Sequence, residues 1–132
     1  MTDIRYLTLN NVLQLHELFI ENFGGSAGLR DAGLLDSALA MPQAAFGGKD
    51  LHPDVPSKAG AYMFHISQAH AFIDGNKRVA LATALAFIRL NGMDVNTNDD
   101  ELIPVGMGVA AGEVSKDELI DFFRRIIIQS DG

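Results

Sequence analysis

The chain has 132 residues, 48% of them hydrophobic, no cysteine and a formal net charge of −7. That length suits one domain with a single core, expected over residues 1–132, and the apolar content excludes a disordered chain. Without cysteine there is no disulfide framework and no thiolate zinc site, which fits a reducing cytoplasm, and the acidic balance argues against direct non-specific nucleic-acid binding.

The N-terminal stretch Met1-Thr-Asp-Ile-Arg5 carries no apolar signal-peptide core. A first helix is expected from about Asn11 to Phe23, with Val12, Leu15, Leu18, Phe19 and Phe23 on one apolar stripe. Gly24-Gly25 breaks it. Asp31 is placed to N-cap a second helix that buries Leu34, Leu35, Ala38 and Leu39, and Pro42 kinks or ends that helix. Residues 44–54 hold Phe46, two glycines, His52 and Pro53, and read as either a short extended flap or a linker.

A third helix is expected from about Pro56 to Ala69, because proline suits a first turn and Ala59, Tyr62, Met63 and Ile66 share a face. The fourth starts near Asn76 and stops at Asn91-Gly92. Only Thr83 and Arg89 are polar between Val79 and Leu90, so this helix belongs in the middle of a bundle. The same stretch is too short to cross a bilayer, and no membrane association is expected. A fifth helix, from about Asp100 to Ala111, is weakened by Pro104, Gly106 and Gly108. In the sixth, Ser115-Lys-Asp-Glu118 reads as a capping box, followed at helical spacing by Leu119, Ile120, Phe122, Phe123, Ile126 and Ile127. The expected fold is all-α: a compact bundle of about six helices around a central apolar one.

The chemistry gathers in His70-Ala-Phe-Ile-Asp-Gly-Asn-Lys-Arg78. A helix starting at Asn76 presents unpaired N–H groups and the positive end of its dipole, which together make an anion site suited to phosphate. Gly75 lets the backbone approach the anion closely, and Lys77 and Arg78 add full positive charges. Asp74 would be repelled by a phosphate unless a cation such as Mg²⁺ lay between them. His70 is of the residue type most often used as a general base. Phe72 is expected to point into the core and anchor the loop.

Plainer readings exist for each residue. His70 alone fits a capping or core histidine, Asp74-Gly75 an ordinary turn, and Lys77-Arg78 a solvated first turn. Cations at a helix N-terminus nevertheless oppose the dipole, and a bound anion explains their placement. A metal-dependent phosphohydrolase built on His65, His70 and Asp74 is a further reading. A spacing of five carries His70 off the helix face of His65, however, so His65 reads as structural. His16 and His52 belong to no recognisable group.

The nine-residue string resembles the signature of the Fic/Doc family, H-x-F-x-[D/E]-[G/A]-N-[G/K]-R. Within that family it is similar to the Doc-type toxins of toxin–antitoxin addiction modules. Gly24-Gly25, the stretches 76–81 and 87–92, and Ala110-Ala-Gly-Glu-Val-Ser115 also look Doc-like. The resemblance implies a helical Fic fold that uses ATP with Mg²⁺. His70 would be the general base, Asp74 the metal ligand, Phe72 the structural anchor, and Gly75, Asn76, Lys77 and Arg78 the phosphate cradle. Residues 44–54 would be the target-positioning flap.

Lys77 and Leu81 stand where adenylylating Fic enzymes usually carry Gly and a second Arg. This is the Doc pattern, which implies an inverted nucleotide and transfer of a phosphoryl group to a protein hydroxyl. Elongation factor Tu is the target class implied. Adenylyl transfer is the alternative within the family, and a non-catalytic binding module the alternative outside it. Thr97-Asn-Asp-Asp-Glu101 is followed by Leu102, so it does not match the family's inhibitory [S/T]-x-x-x-E-[G/N]. Restraint would then come from a separate antitoxin protein.

Overall fold

The computed structural model describes residues 3–130, so Met1 and Thr2 of the N-terminal stretch lie outside it. Its helices are α1 (Leu9–Phe23), α2 (Ala32–Ala40), α3 (Val55–Ala69), α4 (Asn76–Leu90), α5 (Asp99–Ala110) and α6 (Lys116–Ile126). Four short strands complete it: β1 (Ala45–Phe46), β2 (Lys49–Asp50), β3 (Met93–Val95) and β4 (Ile127–Gln129). The expected mostly helical bundle is therefore what the chain forms, and one hydrophobic cluster draws on all six helices.

Local chemistry fixes most helix starts. Thr8, Asp54 and Ser115 each form a reciprocal capping box, at α1, α3 and α6. Asp31 and Asn98 cap α2 and α5 by accepting from the backbone N–H three residues on. Pro42 lies in a 3₁₀ turn, Met41–Gln43, that ends α2. Burial opposes ionisation of Asp54, yet Arg124, at 2.6 Å, and Ser57 hold its carboxyl down to about 2. That pair ties the start of α3 to the last turn of α6.

The bundle centres on the pair α3 and α4 rather than on α4 alone. Ten residues of α3 are buried, against six of α4. Gly60 explains part of this. A Cβ at Gly60 would stand 2.6 Å from Ile120 Cγ1 and 3.2 Å from Ile120 Cα, so the missing side chain lets α6 lie directly against α3. Gly108 does the same for the turn after α5, where a Cβ would meet Val114 Cγ2 at 2.6 Å. The glycine that weakens α5 as a helix is thus needed for its packing.

Several expectations need correction. Leu34 is exposed, because it faces away from the side of α2 that buries Leu35, Ala38 and Leu39. Leu18 and Phe23 are also exposed, 54% and 68%, so the core stripe of α1 is narrower than its apolar pattern. Ile127 leaves α6 and begins β4, which pairs antiparallel with β3 after the turn at Asn91–Gly92. Residues 45–50 form an exposed antiparallel hairpin turned by Gly47-Gly48, both at positive φ. The 44–54 segment is therefore an extended flap-like element and not a plain linker.

His65 sits in the bundle wall with its ring edge-on to Phe64, and its buried Nε2 has no partner. Burial first, then the charges of Lys116 and His52, push its pKa down to about 4. The buried His52 donates from Nδ1 to the Met41 carbonyl at 3.0 Å, and burial shifts its pKa the same way.

A histidine with a lowered folded-state pKa is protonated first in the unfolded chain. Stability from His65 is therefore full above pH 6.5 and declines as pH falls toward about 4. Denaturant midpoints measured across that window should fall in the wild type and fall less in His65→Gln. Parallel curves for the two proteins would contradict this account.

Candidate active site

The loop between α3 and α4 has almost no secondary structure of its own. It is shaped by the α1–α2 linker, which runs antiparallel to it. Arg30 N and Asp31 N donate to the Ala71 carbonyl at 2.7 and 3.0 Å, and Ile73 N donates to Gly28 O at 3.1 Å. Leu29 and Phe72 form an isolated antiparallel bridge. Ser26 N donates to Asp74 Oδ2 at 3.2 Å. A Cβ at Gly25 would stand only 2.7 Å from that same oxygen, so glycine is required there.

His70 ends α3 in the left-handed region, at φ 49°, the one non-glycine residue with positive φ among those described. Its carbonyl accepts from Arg30, through Nε at 3.0 Å and through Nη2. Phe72 is buried and stacks on His16 with ring centroids 3.9 Å apart. His16 Nε2–H donates to the Asp74 carbonyl at 2.6 Å. His16 therefore supports the loop from below. Its four-residue step from Val12 on the buried side of α1 is the only sequence sign of this.

Asn76 bridges the loop internally. Its Nδ2 donates to Phe72 O and its Oδ1 accepts from Phe72 N, both at 3.0 Å. The amide oxygen and one amide N–H are thus committed to the loop, which leaves the second amide N–H and the backbone N–H of Asn76. Asp74 Oδ1 accepts from Gly75 N at 2.8 Å.

Of the six helices, α4 alone has no side chain capping its N-terminus; Gly75, at φ 80°, occupies the N-cap position. The N–H groups of the first turn, from Asn76 to Arg78, are left for a ligand or water. Lys77 and Arg78 make no ion pair among the described residues. The Arg78 guanidinium lies over the Phe23 ring at 5.1 Å and the Phe19 ring at 6.0 Å. The two aromatics read as core from the sequence are instead the bed of this arginine.

These groups converge on one cavity of about 800 Å³ between the loop, the end of α1 and the inner side of α5. His70, Asp74, Gly75, Asn76, Lys77, Arg78 and Leu81 all line it, and Asp74 is its only carboxylate among the described residues. Phe72 is buried and does not line it. His65 is not part of the lining either. No three His, Asp or Glu side chains come together as a metal-ligand set among the described residues. Thr97 donates to Glu101 at 2.6 Å and Glu101 pairs with Arg125 at 2.9 Å, so that glutamate serves the α5–α6 packing.

A Fic/DOC family model matches residues 6–88, a span that includes the whole loop and both elements that support it. The chain belongs to the Fic/DOC family. "Protein kinase doc" of Escherichia phage P1 is 31% identical over 123 residues, 93% of this chain and 96% of that protein. "Toxin Doc" of Mycolicibacterium smegmatis is 44% identical over 78 residues, 59% of this chain and 60% of that protein. The Fic/DOC match thus covers the α1–α2 linker as well as the motif, in agreement with their direct pairing.

If the Asn76 side chain holds the Fic/DOC loop together, Asn76→Ala should lower the unfolding free energy of the ligand-free protein. Two lost backbone hydrogen bonds correspond to about 2 kcal/mol. Chemical denaturation measures this, and an unchanged midpoint would mean that the amide is free for other work.

Proposed function

We propose that this protein is a Doc-type toxin that transfers the γ-phosphoryl group of ATP, with Mg²⁺, to a serine or threonine hydroxyl of a translation factor. Elongation factor Tu is the target we infer, and its modification in the cytoplasm would block translation. The observation that carries the proposal is the convergence of His70, Asp74 and the uncapped, cation-bearing start of α4 on one cavity. The names of the two relatives, a toxin and a protein kinase, support it.

In this reading the N–H groups of Asn76, Lys77 and Arg78 hold the γ-phosphate, and Lys77 and Arg78 add charge. Gly75 allows the close approach. The donor set suits magnesium, which takes one or two carboxylates and completes its shell with phosphate oxygens and water. Asp74 would hold the ion, which neutralises charge on the transferring phosphoryl group. His70 accepts the proton of the target hydroxyl. The hydroxyl oxygen bonds to the γ-phosphorus, the bond to the β-phosphate oxygen breaks, and ADP leaves.

Leu81 is apolar and half-buried in the cavity wall, so it offers no charge to a distant phosphate. The nest at Gly75–Arg78 is then the strongest phosphate site available, and the most highly charged end of ATP belongs there. This favours phosphoryl over adenylyl transfer. The exposed hairpin 45–50 would align the target segment, and a separate antitoxin would supply restraint. Phe23, Ile73, Ile103 and Met107, each more than half exposed on the cavity rim, suit the apolar face of such a partner.

Loss of the base should cost about 10²–10⁴-fold in transfer while leaving nucleotide binding nearly intact. Incubating wild type and His70→Ala with γ-labelled ATP and purified elongation factor Tu tests this. Intact-mass measurement of the modified target should show one added phosphate, and an added AMP would overturn the direction of transfer. Expression of the wild-type chain alone should arrest bacterial growth, and co-expression of a small partner that orders on binding should relieve it. Harmless expression of the folded chain would count against a toxin.

A further inference from the structure

Arg30 has no part in the motif, yet among the described residues it is the only side chain that grips the backbone of His70. Both contacts, from Nε and Nη2, fall on the His70 carbonyl, the last acceptor of α3. That carbonyl belongs to a residue in the left-handed region, a conformation that a side chain disfavours and that needs outside support. The neighbouring peptide is held as well, since Arg30 N donates to Ala71 O. Arg30 thus binds two successive carbonyls, one with its side chain and one with its backbone.

A left-handed residue at a helix end turns its Cα–Cβ bond away from the direction the helix would give it. The orientation of the His70 imidazole therefore depends on keeping that turn. Arg30 is exposed and belongs to no hydrophobic cluster, so core packing does not explain it. It makes no ion pair among the described residues. A guanidinium fits the task because its rigid fork places two N–H groups on one oxygen, whereas an ammonium offers a compact point charge.

We propose that Arg30 is a positioning residue for His70: by clamping the left-handed carbonyl at the end of α3, it fixes the direction in which the imidazole faces the reacting hydroxyl. This rests on His70 being the general base, and the test separates the two claims. The first measurement needs no activity. NMR spectra of ligand-free Arg30→Ala should show displaced or exchange-broadened backbone signals at His70 and Ala71 and a shifted His70 ring signal. Signals from α6 should stay in place and the melting temperature should change little.

The second measurement is phosphoryl transfer to elongation factor Tu. Arg30→Ala should lower kcat by about 10- to 100-fold, with KM for ATP within about twofold. Arg30→Lys should recover part of that loss. Unperturbed His70 and Ala71 signals would overturn the clamp, as would a kcat equal to wild type in a protein whose His70→Ala variant is inactive. A rise in KM at constant kcat would also overturn it, since that would make Arg30 a substrate-binding group. Displaced His70 signals in a protein whose His70→Ala variant still transfers would leave the clamp standing and remove the base assignment alone.

Discussion

The structure depends on the pairing of two segments that have no regular secondary structure. Residues 26–31 run antiparallel to residues 70–74 and donate or accept along nearly their whole length. Buried or half-buried loops fail when their backbone groups lack partners. Here each segment supplies the other's partners, so the reactive loop behaves like part of a sheet without being one. The linker in turn joins a helix at each end, α1 through the Gly24 N–H that donates to Ile20 O and α2 through the Asp31 cap. The loop thus draws support from a helix cap about forty residues upstream in the chain, at Asp31.

His16 completes this frame from the side of α1. It stacks on Phe72 and bonds to the Asp74 carbonyl, one contact apolar and one polar, from a single ring. The hydrogen bond fixes Nε2 as the protonated nitrogen, because a carbonyl oxygen can only accept. Phe72 and Asp74 project in different directions from the loop, and one rigid plane serves both. Asn76 makes the corresponding link inside the loop, between its two ends. The motif residues are therefore carried on a backbone tied at His70, Ala71, Phe72, Ile73 and Asp74.

Much of this architecture was legible in the sequence, but not the frame. Capping boxes and 3.6-residue periodicity are local signals, and they located all six helices to within a few residues. The motif residues were found because their chemistry is unusual for a turn. Phe23 was misread because an apolar side chain lining an open cavity has the same spacing as one in the core, and Leu18 because helical spacing alone does not show where a core stripe ends. Strands of three residues, such as β3 and β4, carry too little period to separate Ile127 from the helix before it. His16 and Arg30 act across 58 and 40 residues of chain, and no local pattern reports such a contact.

The placement of charge follows the same logic. The chain has 17 acidic and 10 basic Lys and Arg residues, so most cations have carboxylates to choose from. Arg89, Arg124 and Arg125 pair in this way with Asp94, Asp54 and Glu101. Lys77 and Arg78 make no such pair among the described residues, and they stand at the positive end of α4, where a cation is least welcome. Arg78 rests on the faces of two phenylalanines, which attract a cation without neutralising it. Five other Lys and Arg residues also lack an ion pair among the described residues, so what sets Lys77 and Arg78 apart is their place on the one helix without the side-chain cap the other five have, where an anion would be favoured. Asp74 at the same mouth adds a negative charge that such an anion meets comfortably only with a cation between them. In the proposed reading, a phosphate and a divalent ion together would satisfy both charges.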